Sequence, residues 1–125
     1  QLGYFDNLSQ DEEIKMLRDT IEFMETTASQ DQSLAEEFIE YYLQGDVNAF
    51  GALMVKYVKE DEFSKGFMKK ILHDRNIIMA DRIHAKLKKN PDRKYFFAVG
   101  AGHYWGDTGI QKLLKDKGLS VSSIE

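Results

Sequence analysis

Along the first ninety residues the apolar positions recur at the period of helices packed by one face. Ile14, Leu17, Ile21 and Met24 follow one another at helical spacing. Ser9, with Glu12 three residues on, forms a capping box ahead of them. A second helix is predicted from about Ser33 to Gln44, with Leu34, Phe38 and Tyr41 or Tyr42 on one face. Gly45 stops it, and Asp46 caps a third whose apolar positions are Phe50, Leu53, Met54 and Tyr57. A fourth tract runs from about Glu62 to Lys89 with a break near Asp74. Asn90-Pro91-Asp92 ends it, because the residue before a proline resists helical geometry.

The pattern then changes. Tyr95-Phe96-Phe97-Ala98-Val99 is a short continuous apolar run, which predicts a strand covered on both faces. Thr108, with Gln111 three residues later, is read as the cap of a further helix carrying Ile110, Leu113 and Leu114 inward. Gly118 ends that helix, and Leu119-Ser120-Val121 reads as a last short strand. The expected fold class is therefore helix-rich α/β. Four or so helices over residues 1–90 precede a strand–helix–strand (βαβ) unit over 94–125, with parallel strands and a right-handed crossover. Two parallel strands do not make a stable sheet alone. Either further strands come from a missing segment or the helices cover this remnant, so the chain, 1–125, is expected to be a single domain or one lobe of a larger one. An exposed strand edge would also invite a second copy to pair as a homo-oligomer.

Composition narrows the function classes. The 125 residues carry a net charge of −4 and a pI near 5.4, which argues against nucleic acid as a partner, since that surface must be basic. With no cysteine there are neither disulfides nor thiolate metal sites. No apolar stretch reaches the roughly 20 residues of a membrane span. The chain opens on Gln1 rather than Met, reading as a mature product or excised piece, so the lack of a signal peptide leaves the compartment unknown.

Candidate chemistry gathers after the first predicted strand, at Gly100-Ala101-Gly102-His103-Tyr104-Trp105. Ligands of open α/β sheets sit beyond the carboxyl ends of strands. Gly100 and Gly102 permit a tight bend and close backbone approach, and a histidine there can ligate a metal or act as a base. The plain alternative is a turn with a locally bonded histidine. On the long helical tract, Leu72, Asn76, Met79 or Ala80, Ile83 and Leu87 form one stripe, so Asn76 lies on the buried face and needs hydrogen-bond partners. Arg75 borders it. The alternative there is a cap by Asp74 and a core amide satisfied by backbone. His73 and His84, eleven residues apart, are too far separated to share a metal and are read as solvated. Tyr41-Tyr42 and Phe96-Phe97 are read as core. A phosphate-cradle loop, a nucleophile elbow and an H-E-x-x-H motif are all missing.

Together these pieces resemble the TraB/GumN family, which includes the Tiki metalloproteases. The most specific match is Phe96-Phe97-Ala98-Val99-Gly100-Ala101-Gly102-His103 followed by Gly106-Asp107, Gly109-Ile110, Leu113-Leu114 and Gly118, similar to the second of the family's G-x-x-H motifs and the helix behind it. Arg75-Asn76, Met79-Ala80 and Ile83 are similar to its Arg-Asn helix. Gly45-Asp46 and Gln1-Leu2 also sit where the family has them, so the resemblance covers almost the whole chain. Tyr104-Trp105 departs from it, since many relatives carry an apolar residue and a proline there.

The resemblance implies a metal-dependent hydrolase of peptidase type, acting on a peptide or protein substrate, whose other G-x-x-H motif and catalytic acid lie in the N-terminal half. His103 would be one ligand of a divalent metal. Arg75 and Asn76 would be catalytic-site residues behind it, Gly100 and Gly102 the turn, and Tyr104 and Trp105 substrate-lining. It also implies a cell-envelope or secreted setting. A chain with one such histidine is expected to be inactive alone and to bind metal weakly, since catalytic sites need about three protein ligands. The rivals are a peptide- or pheromone-binding module without catalysis, and a helical interaction domain.

Overall fold

The computed structural model describes residues 5–28 and 34–122. Helices α1 (Gln10–Ala28), α2 (Leu34–Gln44), α3 (Val47–Lys56) and α4 (Glu62–Met68) come first. A π-helical turn, Lys69–His73, leads directly into α5 (Asp74–Lys89); a 3-10 turn, Ala101–His103, and α6 (Ile110–Asp116) follow. Two helix caps form as the sequence predicts, and Asp61 adds one that was not singled out. At the head of α1 the Ser9 backbone N–H donates to Glu12 Oε2 (2.7 Å), while Ser9 Oγ accepts from the Glu12 N–H (3.3 Å). Donation from the Ser9 N–H, and secondarily from the Ser9 hydroxyl (2.8 Å), holds the Glu12 carboxyl below its usual range. Asp46 Oδ1 accepts from the N–H groups of Asn48 and Ala49 at 3.1 and 2.9 Å, immediately after Gly45 turns the chain with φ of 69°. Asp61 Oδ1 accepts from the Ser64 N–H at 2.9 Å and starts α4.

The predicted break near Asp74 is not a break. The tract stays helical, with the π turn absorbing one extra residue and so rotating α5 relative to α4. Asp74 caps nothing; its carboxylate takes Lys69 Nζ (2.5 Å) and Lys70 Nζ (3.4 Å), and Lys69 chiefly depresses its pKa. Downstream, the expected stripe holds: Asn76, Ala80 and Ile83 are buried, and α6 packs across them with Ile110. Leu53 of α3 completes the small core. Phe38 of α2 meets Phe50 of α3 edge-on at 5.2 Å. Gly118, at φ 82°, closes α6 with Leu119 N–H donating to the Leu114 carbonyl and Gly118 N–H to that of Lys115, a Schellman ending.

The α/β expectation is overturned. Among the described residues there is no strand and no sheet, hence no βαβ unit. Tyr95–Val99 and Leu119–Val121 are irregular; among the described residues no backbone hydrogen bond joins Tyr95–Val99 to another segment, and Leu119–Val121 is joined only by the Leu119 N–H to the Leu114 carbonyl that closes α6. The reason is physical: a strand exists only when a neighbour accepts and donates its ladder bonds, and no backbone hydrogen bond joins the two runs. Tyr95–Val99 alternates half-buried with exposed positions instead of being covered on both faces. Phe96, read as core, is 91% exposed. Tyr42 is likewise outside, while Tyr41 is half-buried. Thr108 does not cap α6, since Gly109 stands at that position without a side-chain bond. Among the described residues there is accordingly no strand edge. Ser33 and the Gln1-Leu2 reading lie outside the described residues.

Candidate functional site

The irregular run from Tyr95 delivers the chain to Gly100, and the 3-10 turn Ala101–His103 then bends it back toward α5 and α3. His103 N–H donates to the Gly100 carbonyl and Tyr104 N–H to that of Ala101, both at 3.0 Å. Gly100 has φ of −64° and Gly102 is no positive-φ position, so neither glycine is there for left-handed backbone. Gly102 is there for space: a Cβ would come within 2.8 Å of Met54 Sδ on α3. Gly51, not singled out from sequence, and Gly109, named only within the family match, serve the same bend. A Cβ on Gly51 of α3 would collide with the Trp105 indole, and one on Gly109 with the Tyr104 carbonyl. Trp105 therefore lies flat against α3.

The bend brings two predicted site residues together. His103 Nδ1 lies 2.6 Å from Oδ1 of Asn76, whose side chain is 1% exposed. Asn76 Nδ2 donates to the Thr108 carbonyl at 2.8 Å. That second bond settles the orientation of the amide, because only its NH2 can donate to a carbonyl. Its oxygen then faces His103 and can only accept, so Nδ1 carries the proton. The ring is thereby held in the tautomer whose Nε2 presents a free lone pair. Burial, and secondarily the Arg75 guanidinium, lower the pKa of His103 and favour the neutral ring. Arg75 is itself steadied by Nη1 donating to the Ile71 carbonyl in the π turn (3.2 Å). Thr108, missed as a partner, acts through its backbone, and backbone acceptors leave no mark in composition.

The remaining candidates separate. Tyr104, Gly100 and Ala101 line a cavity of about 440 Å³ together with Tyr41, Asp46 and Phe50. His103 and Trp105 are not among its lining residues. His73 is exposed and His84 half-buried on α5. Among the described residues no group of three or more His, Asp or Glu side chains is gathered as a metal would require. Toward a metal, the described residues around His103 thus offer a single nitrogen donor and no gathered ligand set.

The family model described as the TraB/PrgY/gumN family matches residues 1–123. This chain belongs to that family. Metalloprotease TIKI2 of Xenopus tropicalis is 30% identical over 101 residues, which is 69% of this chain and 19% of the frog protein. Metalloprotease TIKI2 of Danio rerio is 39% identical over 51 residues, 41% of this chain and 10% of the fish protein. Metalloprotease TIKI1 of Homo sapiens is 30% identical over 64 residues, covering 51% and 13% of the respective chains. The chain thus matches about a fifth or less of the length of these relatives. No solved structure matches it.

Proposed function

We propose that this chain carries one side of the active centre of a metal-dependent hydrolase acting on peptides. The observation that supports this most is the Asn76–His103 contact at 2.6 Å, which commits Nδ1 and leaves Nε2 as the free donor. A histidine that serves only to pack has no need of an amide fixed at both ends. His103 would hold a divalent ion through Nε2, and ligands from elsewhere in the parent protein would complete the set. The ion, when bound, would polarise the scissile carbonyl and activate water. Asn76 keeps the ring from swinging or changing tautomer. Arg75, whose charge reaches the ring, would hold the carbonyl end of a substrate and disfavours protonation of His103 before the ion arrives. The relatives named as metalloproteases support the reaction class.

A binding module without catalysis is the second reading, favoured by the cavity beside Tyr104, whose lining does not include His103. Manganese titration followed by NMR separates the two. Weak, selective broadening of the His103 ring signals, lost in His103→Ala, is expected of a partial metal site. No broadening at His103, or a tight site that survives His103→Ala, would rule out the hydrolase reading. In a longer protein containing this region, His103→Ala should abolish peptide hydrolysis.

A further inference from the structure

Helix α1 has two apolar faces. The inner one is tied to the body: Phe23 meets Tyr57 edge-on at 5.3 Å, Lys15 bridges Asp19 and Asp61 at 2.6 and 3.0 Å, and Lys59 bridges Asp19 and Glu22 at 2.7 Å each. The outer face carries Ile14, Leu17, Ile21 and Met24, which are 48% to 64% exposed. A soluble helix normally turns such a stripe inward, and this one turns it to water along its length.

The spacing of the stripe is three, four and three residues, the alternation of a and d positions in a two-heptad seam. Isoleucines fall at a, with leucine and methionine at d, a choice that suits two strands. The flanks are equally ordered. Glu13 at g, Arg18 at e and Glu25 at e are exposed, and none is in an ion pair among the described residues. Across a two-fold axis Arg18 meets a glutamate whichever way the helices run: Glu13 of a parallel partner, Glu25 of an antiparallel one. Acidic residues in the first turn (Asp11, Glu12 and Glu13), with Glu22 and Glu25 further along, disfavour an anionic lipid surface as the cover.

We infer that α1 is a self-association surface, on which a second copy of this chain lays its own α1 to form a two-stranded seam through Ile14, Leu17, Ile21 and Met24. The helix is already held in place by its inner face, so pairing does not have to order it, the main obstacle for so short a seam.

Sedimentation velocity of the 125-residue chain across a concentration series up to millimolar tests this. A monomer–dimer equilibrium is expected. Leu17→Glu should raise the dissociation constant by more than roughly tenfold, because it buries an unpaired carboxylate in the seam. Arg18→Glu should raise it by about threefold, the worth of exposed ion pairs. Circular dichroism should stay unchanged in both variants, since these side chains touch solvent in the single chain. A monomer at every concentration overturns the proposal. So does a dimer that Leu17→Glu leaves intact.

Discussion

Asn76 and His103, separated by a helix and a loop in sequence, share a 2.6 Å contact in which a buried amide fixes which imidazole nitrogen is free. The arrangement works because Asn76 has two different ends. Its NH2 is anchored on the Thr108 carbonyl, so its oxygen has no choice but to face the ring. The same amide also pins the loop after the 3-10 turn to α5, so site geometry and local stability rest on one side chain.

Asn76→Ala should therefore cost about 2–3 kcal/mol in urea denaturation, since it orphans the Thr108 carbonyl and a ring N–H in a buried place. Asn76→Asp should separate the two roles. It keeps an acceptor for His103 but loses the donor to Thr108, and its negative charge should move the His103 pKa upward in a proton NMR titration. An unchanged titration in Asn76→Asp would refute the contact.

The pH dependence has a definite sign. The folded pKa of His103 lies below the ordinary 6.5, with burial as the main cause and Arg75 the lesser one. The unfolded chain then binds the proton more readily, so stability is fully present above pH 6.5 and falls as pH drops from there through the folded pKa. Thermal melts of His103→Gln should lose that part of the acid-side decline. The depressed carboxyls, such as Asp61 at about 2, act only at lower pH and leave this window clear.

What was legible in the sequence was local. The Ser9–Glu12 box, the Gly45-Asp46 joint and the Asn76–Ala80–Ile83 stripe all form as their spacing dictates, because each needs only neighbours within a turn or two. What failed depended on partners far along the chain. Tyr95–Val99 has the composition of a buried strand, yet nothing in the described chain offers it ladder bonds, and Phe96 stands in solvent. Within the site, the burial of Asn76 and the placement of His103 at a tight bend were readable. That the two touch was not, since the contact depends on how the bend after Gly100 returns to α5.

The Asp46 cap offers a test in which charge and hydrogen bonding part company. Asp46→Ala removes the acceptor for two N–H groups and should destabilise the chain by about 1 kcal/mol, whereas Asp46→Asn should be nearly neutral because asparagine caps equally well. Equal losses in both variants, measured by chemical denaturation, would mean that the carboxylate charge matters more than the cap.

The glycines should rank by what an added methyl meets. At Gly66, inside α4, a Cβ would find nothing within 4 Å, so Gly66→Ala should stabilise by about 0.5–1 kcal/mol through helix propensity alone. At Gly102 the obstacle is the flexible end of Met54, which can swing aside, and the cost should be modest. At Gly51 it is the base of the Trp105 ring, which must leave α3, so Gly51→Ala should both destabilise and shift the tryptophan fluorescence toward the exposed value. At Gly109 it is backbone, the Tyr104 carbonyl, which cannot move without unmaking the bend that carries His103. Gly109→Ala should accordingly be the most damaging of the four, by more than about 2 kcal/mol, in the range of steric overpacking. It should also release the His103 pKa toward its ordinary value, a readout that a purely global loss of stability would not give in the remaining folded population.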